Sequence, residues 1–115
     1  MKFWLACLTA GFLASCGGEE TPTPPSIKVY KSRGSVQCGT SGTPPEVMRL
    51  ELTNAGVEVR SFACGVNGLA APAMCGLTDT RINIFEIPLT QAGIAASLSF
   101  PPLNTLPDAV EVPCT

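Results

Sequence analysis

Six cysteines are spread unevenly over 115 residues, and their placement constrains the fold more than any other feature. Cys7 and Cys16 fall in the first 16 residues, whereas Cys38, Cys64, Cys75 and Cys114 are spaced along the rest. Cys7 lies within an apolar run of 11 residues, Phe3 to Leu13, preceded by Lys2 and followed by small residues. That is the anatomy of an export signal over residues 1–15. The run is too short for a membrane span, which takes about 20 apolar residues. An exported domain folds where thiols oxidise, so the four remaining cysteines predict two disulfides. No C-x-x-C spacing occurs, which argues against both a zinc site and a thioredoxin-like redox centre. Four cysteines allow three pairings. The expected ones are Cys64–Cys75, closing a short Gly/Ala/Pro loop, and Cys38–Cys114, tying the last residues to the first half. Each should contribute about 3 kcal/mol by restricting the unfolded chain.

Leu13-Ala14-Ser15-Cys16 resembles the lipobox of bacterial lipoproteins, with Leu at −3, two small residues and the obligatory cysteine. The resemblance implies that Cys16 takes a diacylglycerol on its thiol and becomes an acylated N-terminus after cleavage. Two or more acyl chains anchor stably, whereas one binds only marginally. Gly17 follows Cys16, with no aspartate there; in Gram-negative lipoproteins this pattern implies the outer membrane, facing the periplasm. Residues 16–26 are expected to be the lipidated cysteine and its tether. The composition "GGEETPTPPS" offers little apolar surface to bury, and its prolines predict an extended reach of roughly 30 Å.

The folded domain is expected over residues 27–115. "IKVYK" alternates as a strand does, and Thr43-Pro44-Pro45-Glu46 has the chemistry of a helix start. Met48, Leu52 and Ala55 share one face of that helix, and Gly56 suits its C′ position. A second strand is expected in "VEVRSFAC" from Val57, and a third in "RINIFEI" at residues 81–87. Pro88 to Leu98 should give a second helix, and Ala109 to Pro113 a last strand. "IKVY" and "INIF" open the two halves and "VEV" closes both. The order βαββαβ predicts an α+β, disulfide-stapled ferredoxin-like two-layer sandwich. In the ideal form of that fold Cys38, Cys64 and the Cys75 loop lie at one end and Cys114 at the other. The second pairing then needs the Cys38 loop to fold back along the last strand.

Chemistry is sparse. Histidine is absent, which removes His-based nucleophile systems and the commonest metal ligand. The carboxylates are scattered, with no pair spaced for acid–base work. The glycines of Gly65 to Gly76 lack a phosphate-cradle motif. Without Lys2, six basic side chains face nine acidic ones, so no basic patch marks nucleic acid as a partner. Neither catalysis, a cofactor nor a metal is expected. If Ile27, Val29, Val57, Val59, Ile82, Ile84, Val110 and Val112 face the helices, alternation turns Lys28, Tyr30, Arg60, Phe62, Asn83 and Phe85 outward. Those six make a candidate interaction face, with three aromatics among charges.

Residues 27–115 also resemble small Gram-negative outer-membrane or periplasmic lipoproteins. The resemblance rests on Cys64-Gly65, Cys75-Gly76, Ile82-Asn83-Ile84-Phe85 with Ile87-Pro88, and Leu106-Pro107-Asp108-Ala109 with Glu111 to Cys114. It implies no activity. A lipid, a proline-rich linker and a disulfide-bonded domain together look like envelope stress-sensor lipoproteins in layout alone. The expected role is a non-enzymatic module, held to the membrane by its lipid, that contacts another envelope protein. The alternative is a small-ligand-binding or enzyme-inhibitor module using the Gly65–Gly76 loop.

Overall fold

In the computed structural model residues 24–115 are described. The segments expected to be an export signal, a lipobox with Cys16 and a tether up to residue 23 lie outside the described residues. Alternation in "SIKVYKS" becomes β1 (Ser26–Ser32), and the proline-led segment becomes α1 (Pro45–Thr53). Pro44 takes the N-cap place expected of Thr43, and its carbonyl accepts from the amides of Val47 and Met48. Met48 and Leu52 are buried, whereas Ala55 is exposed beyond the helix end. There Gly56 adopts φ +86°, and the amide of Val57 donates to the Leu52 carbonyl at 3.0 Å. That bond and Gly56 N–H to Thr53 O form a Schellman closure.

β2 (Ser61–Val66) begins four residues later than the sequence suggests. Val57 is buried and Val59 packs against the core, so their alternation reflects packing under the helices and no ladder. β3 (Arg81–Pro88) follows, then a 3₁₀ turn at Leu89–Gln91, α2 (Ala92–Ser97), a 3₁₀ turn at Leu103–Thr105, and β4 (Val110–Val112). The result is an α+β domain with a four-stranded antiparallel sheet and two helices.

The strand order is β1-β3-β2-β4. The first three stand as in a ferredoxin-like sandwich, but β4 lies outside β2, where that fold has it beside β1. Pro101 and Pro102 occupy the β1 edge: Tyr30 N–H donates to Pro101 O at 3.0 Å, and Val29 bridges Pro102. Neither proline can donate to a ladder. The chain therefore leaves β1 and finds the free edge of β2.

Register fixes the faces. Val29, Phe85 and Phe62 are successive partners across β1, β3 and β2. Val29, Phe85 and Ile87 join Met48 and Leu52 of α1, Ala95 of α2, Val57 and Phe100 in one buried cluster. Phe85 and Phe100 meet edge to face at 5.7 Å between centroids, a favoured aromatic geometry. Ile82 and Ile84 point to the opposite face and are also buried. β3 is therefore apolar on both sides.

Candidate functional site

The six residues expected to share an outer face do not share one. Phe85 and Asn83 are fully buried beneath the helices. Lys28 and Tyr30 lie with Ile84 and Ala63 on the other side of the sheet, whereas Phe62 pairs with Phe85. Arg60 precedes β2, and its guanidinium donates to Pro24 O at 2.9 Å. Among the described residues no continuous aromatic surface forms, because β3 presents Phe85 inward where alternation counted from Ile82 turns it out.

All four late cysteines are bridged, but as Cys38–Cys75 and Cys64–Cys114. Both expected pairings are corrected by the position of β4. Cys64 is the ladder partner of Val112, which brings Cys114 within reach. Cys75 is left for Cys38.

That second bridge creates a site. The segment between β2 and β3 is nearly all exposed from Gly68 to Thr78, yet it is held at several points. Gln37 uses every polar group it has. Its amide donates to Leu77 O at 2.9 Å and its carbonyl accepts from Gly76 N–H at 3.0 Å. Its side chain donates to Pro72 O and accepts from Met74 N–H, both at 2.9 Å. The base of the loop is closed by Asn67 N–H to Thr80 O, and by Asp79 N–H to Ser35 O. From this frame Leu69 and Met74 project, each 58% exposed, with Leu77 at 39%. Sequence reasoning placed the loop and missed its brace, since nothing local marks Gln37 as a hub.

Asp79 locks the foot of the loop. Ser35 Oγ donates to its Oδ1 at 2.5 Å, and Arg81 Nε to its Oδ2 at 2.9 Å. Burial pushes the Asp79 carboxyl up, but the hydrogen bonds from Ser35 and from the Arg81 backbone and side chain outweigh it and hold the group below its ordinary range. Glu86 is likewise held low, first by hydrogen bonds from Ser26 and Ser61.

A groove of about 470 Å³ runs beside β1, lined by Ile27, Lys28, Leu103, Leu106, Pro107 and Ala109 among others. Its one cation, Lys28, is paired with Glu111 at 2.8 Å, so the lining is apolar with its charge cancelled. Among the described residues no three His, Cys, Asp or Glu side chains group as metal ligands, and no helix is long and apolar enough to cross a membrane.

No family model, no curated protein and no solved structure matches this chain.

Proposed function

We propose that this chain is a non-enzymatic interaction module of the bacterial envelope, lipid-anchored through Cys16 to the outer membrane and facing the periplasm. The loop from Asn67 to Thr80, in place of the sheet face, is what it presents to a partner protein. One observation carries this reading: Gln37 fixes the loop through four hydrogen bonds while Leu69 and Met74 stay exposed. Fixing a loop before contact reduces the ordering cost of binding, and large apolar side chains on a rigid loop suit insertion into a partner's pocket. The partner surface is therefore an apolar cleft on an envelope protein. An enzyme inhibitor would use the same loop in the same way, by seating Met74 or Leu69 in a specificity pocket.

Photo-crosslinkers placed at Leu69 and Met74 in the lipidated chain test this. Both positions should capture the same protein, and Gln37→Ala, which removes the two side-chain bonds and keeps the two backbone ones, should weaken capture while a crosslinker at Val47 on α1 gives none. Capture undiminished by Gln37→Ala, or arising equally from Val47, overturns the assignment. The anchor is tested separately: Cys16→Ser should release the protein from membranes.

A further inference from the structure

Arg33 is buried, with 7% of its surface exposed, and no carboxylate pairs with it among the described residues. Its Nε has no hydrogen-bond partner among those residues either. The acceptor its guanidinium does meet is sulfur: Nη1 lies 3.9 Å from Cys64 Sγ. A desolvated guanidinium without an anion is costly, and here it is aimed at one half of a disulfide. The two halves differ sharply. Cys64 is 3% exposed, whereas Cys114, one residue from the C-terminus, is exposed.

We propose that Cys64–Cys114 is a directional thiol-exchange site: Cys114 accepts an incoming thiolate, and Cys64 leaves as a thiolate held by Arg33. The attacking thiolate forms a bond to Cys114 Sγ as the Cys64–Cys114 bond breaks, and the electron pair departs on Cys64 Sγ. One disulfide replaces another, with no net redox change. Access selects the sulfur attacked, and a departing thiolate that meets a cation is the better leaving group; both point to the same outcome. Cys38–Cys75 has no such asymmetry, since both of its cysteines are exposed and, among the described residues, neither receives a cation hydrogen bond. Exchange also frees β4, which only three residue pairs hold to β2. The residues just before β4 line the groove beside β1, so thiol chemistry at Cys114 is coupled to its shape.

The attacking thiol can be small or belong to a protein, and two arms separate these. The full-length protein is treated with glutathione, or with a periplasmic-type dithiol protein whose resolving cysteine is Ser, and adducts are mapped by peptide mass spectrometry. On the 64–114 bridge the adduct should sit on Cys114 in either arm. Adducts with glutathione show that a small thiol suffices, and adducts with the dithiol protein alone assign a protein source. In a Cys114→Ser background, alkylation against pH should show Cys64 ionising below an ordinary thiol. Arg33→Met should reduce its thiolate fraction at pH 7 about tenfold, and Arg33→Lys should restore most of it. Unchanged exchange at Cys38–Cys75 serves as the folding control for Arg33→Met; the wild-type adduct map stands without that variant. Adducts on Cys64, no adduct on this bridge in either arm, or Cys64 titrating as an ordinary or weaker acid would each overturn the proposal.

Discussion

Lys28 Nζ lies 2.8 Å from Glu111 Oε2, although β1 and β4 are the two edge strands of the sheet. Three strand spacings separate those edges, about 14 Å in a flat sheet. Register adds more, because Lys28 sits in the row of Ser61 and Glu111 in the row of Gly65. The sheet must therefore coil until opposite corners meet, as twisted antiparallel sheets do. The pair marks that curl and does little to drive it. With half of each side chain exposed, a double-mutant cycle on Lys28→Met and Glu111→Gln should give a coupling of about 0.2–1 kcal/mol that shrinks in salt. Urea unfolding at low and high ionic strength measures it. A salt-independent coupling of several kcal/mol would mean that the pair helps to drive the curl.

Gly65 lets β4 and Ile84 approach β2 closely. A Cβ there would stand 2.7 Å from Ile84 Cδ1 and 2.8 Å from the Val110 carbonyl. Side-chain tips can yield, but a ladder backbone cannot. Gly65→Ala should cost about 1–3 kcal/mol, as overpacking does. The damage should be local, with amide exchange at Val66 and Val112 accelerating more than at Val29. Uniform acceleration would mean that Gly65 matters to the whole core and not to the seat of β4.

Most elements were legible from alternation and punctuation: β1, α1, β3, α2 and β4 all occur where the pattern places them. The orientation of β3 was not. "INIFEI" is apolar on both sides because β3 is a central strand covered twice, and a period of two carries no facing information when both faces are buried. That single inversion turned Phe85 and Asn83 into surface residues and assembled a face that does not exist. Strand order was the second loss, and the place of β4 beside β2 is what pairs Cys114 with Cys64, where loop closure alone favours Cys75. One signal was available in Gly65, since an interior strand glycine often marks a close backbone approach. Pro101-Pro102 was another, a pair that can block an edge but never extend it. The loop's brace depends on Gln37, 30 or more residues away from Pro72 and Met74, and such contacts leave no local trace.

The two helices end alike but with different residues. After α2 the amide of Phe100 donates to Ala95 O at 2.9 Å, and Ser99 takes φ +73° where α1 has Gly56. This closure swings Phe100 into the core against Phe85. A left-handed conformation costs a non-glycine residue about 1 kcal/mol, partly offset by the freedom glycine loses on folding. Ser99→Gly should therefore raise the thermal midpoint by a few degrees, whereas Gly56→Ala should lower it. A loss on Ser99→Gly would show that the Ser99 side chain contributes contacts of its own.

Acid should unfold the loop's foot before the helical core. Asp79 titrates in the folded state below its unfolded value of about 3.9. A depressed carboxyl contributes stability that is fully present above that unfolded value and is lost as pH falls through the folded one. Glu86 is depressed for the same kind of reason, hydrogen bonds from Ser26 and Ser61, and adds to the slope in the same direction. Urea midpoints should hold steady from pH 7 to about 5 and then decline. Asp79→Asn should flatten part of that decline while lowering stability at pH 7, because Ser35 Oγ and Arg81 Nε lose their charged acceptor. Ser35→Ala should give an intermediate slope, since Arg81 still donates to the carboxylate. Amide exchange on Asn67, Gly76 and Asp79 should respond to acid earlier than exchange on Leu52. An acid slope in Asp79→Asn as steep as that of the wild type would remove Asp79 from this role and leave Glu86 to carry it.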